Sequence, residues 1–226
     1  MHFRKTIAVA ALAGLPGLTQ AAGWYGQVSI GQSKTSSDLV HNRESTLVNA
    51  SDFQTEFDAK DSAWKIGAGY RFYDFLAIEL NYADLGRHST FTTMLAGDAP
   101  AFASIAIDRE IKGFGADLVL SAPIAERFAV YGRVGAFRSK LKAEAQLDGN
   151  IVFTNGDPSE RSRSTNQEET VLRYGVGASW ELWRNGSLHV EWERYNKIGK
   201  AFAVGGSGTT GEADTDAYWF GVTQRF

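Results

Sequence analysis

The sequence contains no cysteine. Disulfides, thiolate nucleophiles and cysteine-based zinc sites are therefore excluded together. Positive charge is not in surplus: 23 Lys and Arg stand against 26 Asp and Glu. Such a balance lacks the basic footprint of a nucleic-acid-binding chain. Past the first segment there is no apolar run of the roughly 18 residues that a membrane helix needs. Mean hydropathy is −0.24, the value of a water-soluble protein. Proline is scarce, at 4 in 226 residues. What the chain has in quantity is glycine, at 24, and aromatics, as 14 Phe, 8 Tyr and 6 Trp.

The first segment reads as an export signal. Arg4 and Lys5 form a positive start, Thr6 to Leu18 an apolar stretch, and Thr19-Gln20-Ala21-Ala22 a small-residue end. That order marks residues 1–21 as a signal peptide cleaved after Ala21 or Ala22. Residues 22–226 are then the mature domain, and an exported chain without cysteine fits a bacterial envelope.

Downstream, apolar residues recur at every second position. Trp64, Ile66, Ala68, Tyr70 and Phe72 alternate with Ala63, Lys65, Gly67, Gly69 and Arg71. Similar segments begin near Gly23, Leu76, Gly113, Phe128, Leu172, Leu188 and Ala217. Period two is the signature of strands with one apolar and one polar face. Eight strands are expected, and their spacing is informative. Short links fall near Tyr73-Asp74, at Ala122 to Glu126 with Pro123 in the turn, and at Arg184-Asn185-Gly186. Long polar links are expected at 34–60, 86–110, 139–169 and 197–214. Short alternating with long is the pattern of a transmembrane β-barrel with tight periplasmic turns and long external loops. Lipid offers no hydrogen bonds, so a closed barrel satisfies every backbone group internally. Only half of each strand faces lipid, which reconciles a spanning protein with a negative mean hydropathy.

Several segments resemble the small eight-stranded barrels of the OmpA transmembrane-domain type, including opacity-like surface proteins. They are Gly23-Trp24-Tyr25-Gly26, Ala77-Ile78-Glu79-Leu80-Asn81-Tyr82, Tyr131-Gly132-Arg133-Val134-Gly135, Gly175-Val176-Gly177-Ala178 with Val190-Glu191-Trp192, and the closing Tyr218 to Phe226. The resemblance implies an all-β, eight-stranded antiparallel transmembrane up-and-down barrel in the bacterial outer membrane. It also implies a terminal assembly signal read by the barrel-assembly machinery. Tyr218, Phe220, Val222 and Phe226 fit that signal, while Gln224 departs from its usual apolar residue. The chain stops at its last strand, so no appended peptidoglycan-binding domain is expected.

The polar faces carry Lys65, Arg71, Glu79, Asp117, Arg133, Arg173, Glu181, His189, Glu191, Glu193 and Arg225. Both signs of charge inside a narrow barrel predict an ion-paired network that fills the lumen, since eight strands leave room only for side chains. The family resemblance implies lumenal acid–base pairs of this kind, with Glu79, His189 and Glu191 on the corresponding strands. A lipid-modifying hydrolase would need a serine oriented by His and a carboxylate. His189 is followed by Val190 and Glu191 rather than by a nearby serine on the same face, and His41 and His88 fall in expected loops. Loop acids such as Asp52, Glu56, Asp58, Asp61, Glu168, Glu169, Glu212, Asp214 and Asp216 lack calcium-loop spacing. The Gly205-Gly206-Ser207-Gly208 run is expected at a loop tip. No enzyme, cofactor or metal is expected. The expected role is structural or interactive: envelope integrity, adhesion or recognition through external loops. A narrow gated porin-like channel is the alternative, and a lipid A-modifying enzyme a third. Expected partners are outer-membrane lipid, lipopolysaccharide and an extracellular ligand, with the barrel itself a monomer.

Overall fold

The computed structural model describes residues 23–37, 50–58, 60–96, 101–149, 161–200 and 212–226. The expected signal peptide, His41 and the Gly205 to Gly208 run lie outside these residues. Among the described residues nine strands form: β1 (Gly23–Ser37), β2 (Ala50–Asp58), β3 (Lys60–Tyr73), β4 (Leu76–Ala96), β5 (Ala101–Ala125), β6 (Phe128–Gly149), β7 (Ser162–Trp183), β8 (Gly186–Ile198) and β9 (Ala213–Arg225). Every pairing is antiparallel: β1 pairs with β3, β2 and β3 both pair with β4, each later strand pairs with the next, and β1 pairs with β9 to close the barrel. β2 and β3 lie end to end on one strand: β3 pairs with Leu76–Asp84 of β4, and β2 with Ser89–Ala96. Together they form one stave, so the closed barrel has eight staves. Closure leaves no open edge within the lipid.

Three two-residue turns, Asp74-Phe75, Glu126-Arg127 and Arg184-Asn185, close one end of the barrel. Each follows a register shift in the strand before it. Asn185 takes the left-handed conformation at φ 68°, which a short polar side chain tolerates. Pro123 is not in a turn. It pairs with Ala129 inside β5, next to the irregularity at the strand's end, where a missing N–H does least harm.

The expected long loops need a larger correction. Positions 86–110 and 139–169 are mostly strand, because β4 to β7 run far past the lipid. β1, β8 and β9 also extend into the expected loops. The reason is a change of phase rather than a loss of period. In the lower half the outward residues are apolar: on β7, Leu172, Val176, Trp180 and Leu182. Leu172 to Leu182 rise ~25 Å at a barrel strand's tilt, the height of a lipid-facing band. Above them the outward residues are Thr170 and Glu168. The same switch falls between Phe114 and Lys112, Ala136 and Arg138, Trp192 and Arg194, Tyr218 and Asp216, and Ile30 and Gln32.

Beyond the switch the apolar residues turn inward. Ile105, Ile107 and Ile111 of β5 and Leu141, Ala143, Ala145 and Leu147 of β6 are all buried. Their outward neighbours are Asp108, Lys140, Lys142 and Glu144. The projecting half is therefore built like a water-soluble barrel, and the spanning half is its inverse. β6 rises roughly 30 Å beyond the lipid by its residue count and tilt. One bulge helps carry the chain across the switch. Gly86 of β4 sits at φ 83°, and a side chain there would strike Asp61 and Ser62 of β3. Asp61 accepts the Arg87 N–H at 2.6 Å, and inward positions shift from odd numbers up to Leu85 to His88 above it.

Candidate functional site

Among the described residues, most of the buried charged groups converge in the lumen of the spanning half, with His88 and Arg109 buried apart from them on β4 and β5. Inward glycines give the lumen room. Tyr25 lies across from Gly69, Tyr131 from Gly177 and Trp219 from Gly31 as direct cross-strand pairs, each ring occupying the space of the missing side chain. This aromatic-over-glycine packing fixes register as well as filling space.

Eight of the eleven expected charged residues lie buried in this lumen: Lys65, Glu79, Asp117, Arg133, Arg173, His189, Glu191 and Glu193. Lys65 Nζ lies 3.0 Å from Glu191 and 2.8 Å from Glu193. Arg133 Nη1 lies 2.8 Å from Glu79 and 3.3 Å from both Asp117 and Glu193. Its Nε is 2.9 Å from Glu191 but off the axis of a hydrogen bond. Arg173 holds Asp117 through Nε and Nη2. Three cations thus meet four carboxylates. Neutral donors make up the difference. Tyr25, Gln27 and Asn81 donate to Glu79, Asn81 also to Asp117, Tyr131 to Glu191, and Tyr195 and Trp219 to Glu193. Buried charges persist when each lone pair is met in this way.

Arg71, Glu181 and Arg225 stand apart from this cluster. They are half-buried at the mouth of a cavity of about 320 Å³ at the turn end, with Arg225 3.6 Å from Glu181. The cavity's inner end is lined by Glu79, Arg133 and His189.

On the other side of the ion network sits an apolar layer. Phe137 and Tyr195 meet edge to face at 4.8 Å, and Arg173 lies 5.4 Å from each ring. Lys65 lies 5.1 Å from the Trp219 ring. Leu85, Ile111, Leu141 and Ile198 complete the layer. A solute crossing the barrel would meet a charged barrier and then a greasy one.

His189 reverses its expected surroundings. Its Nε2 is 2.9 Å from Ser29 Oγ and its Nδ1 is 3.1 Å from Thr223 Oγ1. The hydroxyls come from β1 and β9, which sequence distance concealed. A serine–imidazole pair therefore exists, yet the group on Nδ1 is a hydroxyl rather than the carboxylate that orients a hydrolytic base. His88 is likewise on a strand, buried on β4, with Nε2 3.0 Å from Ser33 Oγ. Asp61 and Asp216 are structural: one binds the β4 bulge, and the other grips Arg194 through two bonds of 2.8 Å. Asp52, Glu56 and Asp58 fall on β2. No three-residue metal cluster occurs among the described residues.

The residues that sequence reading missed are the neutral partners: Tyr25, Gln27, Ser29, Asn81, Tyr131, Tyr195, Trp219 and Thr223. Their only signal was inward parity on their strands. Tyr218, Phe220 and Val222 point outward from β9 and are half exposed. Outside the lipid, Glu110 is held below the usual carboxylate range by its hydrogen bond from Lys112, and Glu168 by those from Lys140 and Arg138.

Comparison with known proteins agrees with this architecture. No curated protein matches the chain. Neisserial surface protein A is 20% identical, with a TM-score of 0.52 over 92% of this chain and 100% of that one. The N-terminal barrel of Pseudomonas aeruginosa OprF is 12% identical, covering 92% of this chain and 100% of its own, with a TM-score of 0.47. Yersinia pestis Ail is 15% identical over 90% and 99%, with a TM-score of 0.43. The family model for the outer membrane protein beta-barrel domain matches residues 6–226. With its closed wall of eight staves and its lipid-facing band, the chain belongs to the outer membrane protein β-barrel domain family of bacterial outer-membrane proteins.

Proposed function

We propose that this protein is a sealed surface barrel, which serves the envelope or binds partners through its projecting outer end and neither conducts nor catalyses. The observation that carries this reading is the doubly filled lumen. The charged network and the aromatic layer above it lie in series, and Arg173 and Lys65 belong to both. Opening a path would strand buried charges, and removing one partner of such a pair costs about 3–5 kcal/mol. The projecting strands support an interactive role, since they raise a firm polar wall well clear of the lipid. Outer-membrane lipid and lipopolysaccharide surround the barrel, which acts as a monomer. Tyr218, Phe220, Val222 and Phe226 serve as its assembly signal for the barrel-assembly machinery.

The test is planar-bilayer conductance on the folded protein. A sealed barrel gives no discrete openings. Resolved current steps would overturn the reading and favour the alternative of a narrow gated channel. One observation speaks for that alternative: the cavity of about 320 Å³ already reaches from the periplasmic mouth to Glu79 and Arg133. The Ser29–His189 pair is the feature closest to an enzyme. Lipid A mass spectra with and without expression should be identical, and a new lipid species lost in Ser29→Ala would make the protein an enzyme.

A further inference from the structure

We propose that a groove on the outer wall, at the level where lipid ends, binds the phosphate of an anionic lipid in the outer leaflet. The groove has a volume of about 220 Å³ and is lined by residues of β4, β5, β6 and β7. Lys112, Lys140 and Lys142 line it, against Glu110 and Glu168. Its position is set by the phase switch. Phe114 and Tyr82, in edge-to-face contact at 4.9 Å, form its lower rim, and both belong to the lipid-facing band. The lysines begin one outward step above, where headgroups lie against an outer-membrane barrel.

The register supplies the main argument. Lys112 and Lys140 are direct cross-strand partners on the same outward face. Like charges placed so are destabilising unless something lies between them. Lys112 holds Glu110 at 2.5 Å and Asp84 at 3.7 Å, while Lys140 holds Glu168 at 3.1 Å. Among the described residues no carboxylate lies within ion-pair distance of both lysines. A phosphate monoester, with a charge of about −1.5 to −2, suits that gap and has oxygens enough to meet both ammonium groups. Its acyl chains would then run down over Phe114 and Tyr82. Free phosphate would share the charge but lack that second contact, so the lipid is the occupant that uses the whole groove.

The test is native mass spectrometry of the folded barrel released from micelles of phosphatidylcholine doped with phosphatidic acid. The wild type is expected to retain phosphatidic acid selectively. Lys112→Gln with Lys140→Gln should weaken retention on the order of tenfold, by the loss of two interfacial cations. Lys34 and Lys60 form another registered lysine pair, outside the groove, and serve as the control. Their change to Gln should leave retention unaltered. Equal retention by all three proteins, or equal loss in both variants, would overturn the proposal in favour of general surface charge. Displacement of the lipid by millimolar inorganic phosphate would overturn it in favour of a free-ion site.

Discussion

At the scale of single residues, Leu80 and Asn81 stand side by side on β4 and face opposite solvents. Leu80 is 63% exposed, in the middle of the lipid band, whereas Asn81 is 5% exposed. The Asn81 amide donates to Asp117 at 2.8 Å and accepts from Arg173 at 2.9 Å. Leu80→Arg should cost about 2–4 kcal/mol in a reversible folding assay in vesicles, because it forces a charge into hydrocarbon. Asn81→Arg should leave membrane insertion intact. Its effect should appear in the lumen, where a fourth cation joins Lys65, Arg133 and Arg173. If the two substitutions exchanged effects, each stave would be rotated by one residue. This part of the account is legible in the sequence, since alternation alone assigns both residues to their faces. What alternation cannot give is partners. Glu191 and Glu193 meet Lys65 from across the barrel, 126 and 128 residues away in the chain. Ser29 reaches His189 across 160 residues. Such contacts depend on strand tilt and stagger, which leave no trace in composition or spacing.

Among the elements, β5 and β6 hold the lesson about what a pattern hides. Their lower halves read clearly, as Phe114, Leu118 and Leu120 against Gly113, Asp117 and Val119. Their upper halves look like polar loop because the apolar residues change sides. Ile105, Ile107 and Ile111 keep period two, but on the odd positions that lower down carry glycine and charge. A search for outward grease stops at Phe114, while the hydrogen-bonded ladder continues to Ala103 paired with Gly149. The force that buries these residues also changes, from lipid solvation below to ordinary water exclusion above. Leu141 is 5% exposed in this upper interior, and Gln146 on the same strand points outward. Leu141→Ala should therefore destabilise the barrel by about 2–5 kcal/mol, as in a soluble core. Gln146→Ala should stay within about 0.5 kcal/mol. Urea midpoints of the refolded variants check both. An irregular loop over 139–149 would instead make Leu141→Ala as mild as Gln146→Ala.

For the whole molecule, two opposite designs share one continuous wall. The lower design turns apolar side chains outward and keeps a charged, hydrogen-bonded centre. The upper turns polar side chains outward around a mainly apolar centre, into which Ser33, His88, Thr35 and Thr215 fit as hydrogen-bonded pairs. Their junction runs around the barrel at one level, marked by Ile30, Tyr82, Phe114, Ala136, Leu172, Trp192 and Tyr218. The proposed sealing of the lumen rests on this junction, because the apolar layer above begins where the ion network ends. So does the placement of the lysine groove, directly above the aromatic rim. The most direct test is site-directed spin labelling in vesicles at outward positions on either side of the junction. Oxygen, which concentrates in lipid, should relax labels at Ile30, Ala136, Leu172 and Tyr218. A water-soluble nickel chelate should relax those at Gln32, Arg138, Thr170 and Asp216. Lipid-type accessibility at Arg138 and Thr170, or water-type accessibility at Ala136 and Leu172, would contradict the account.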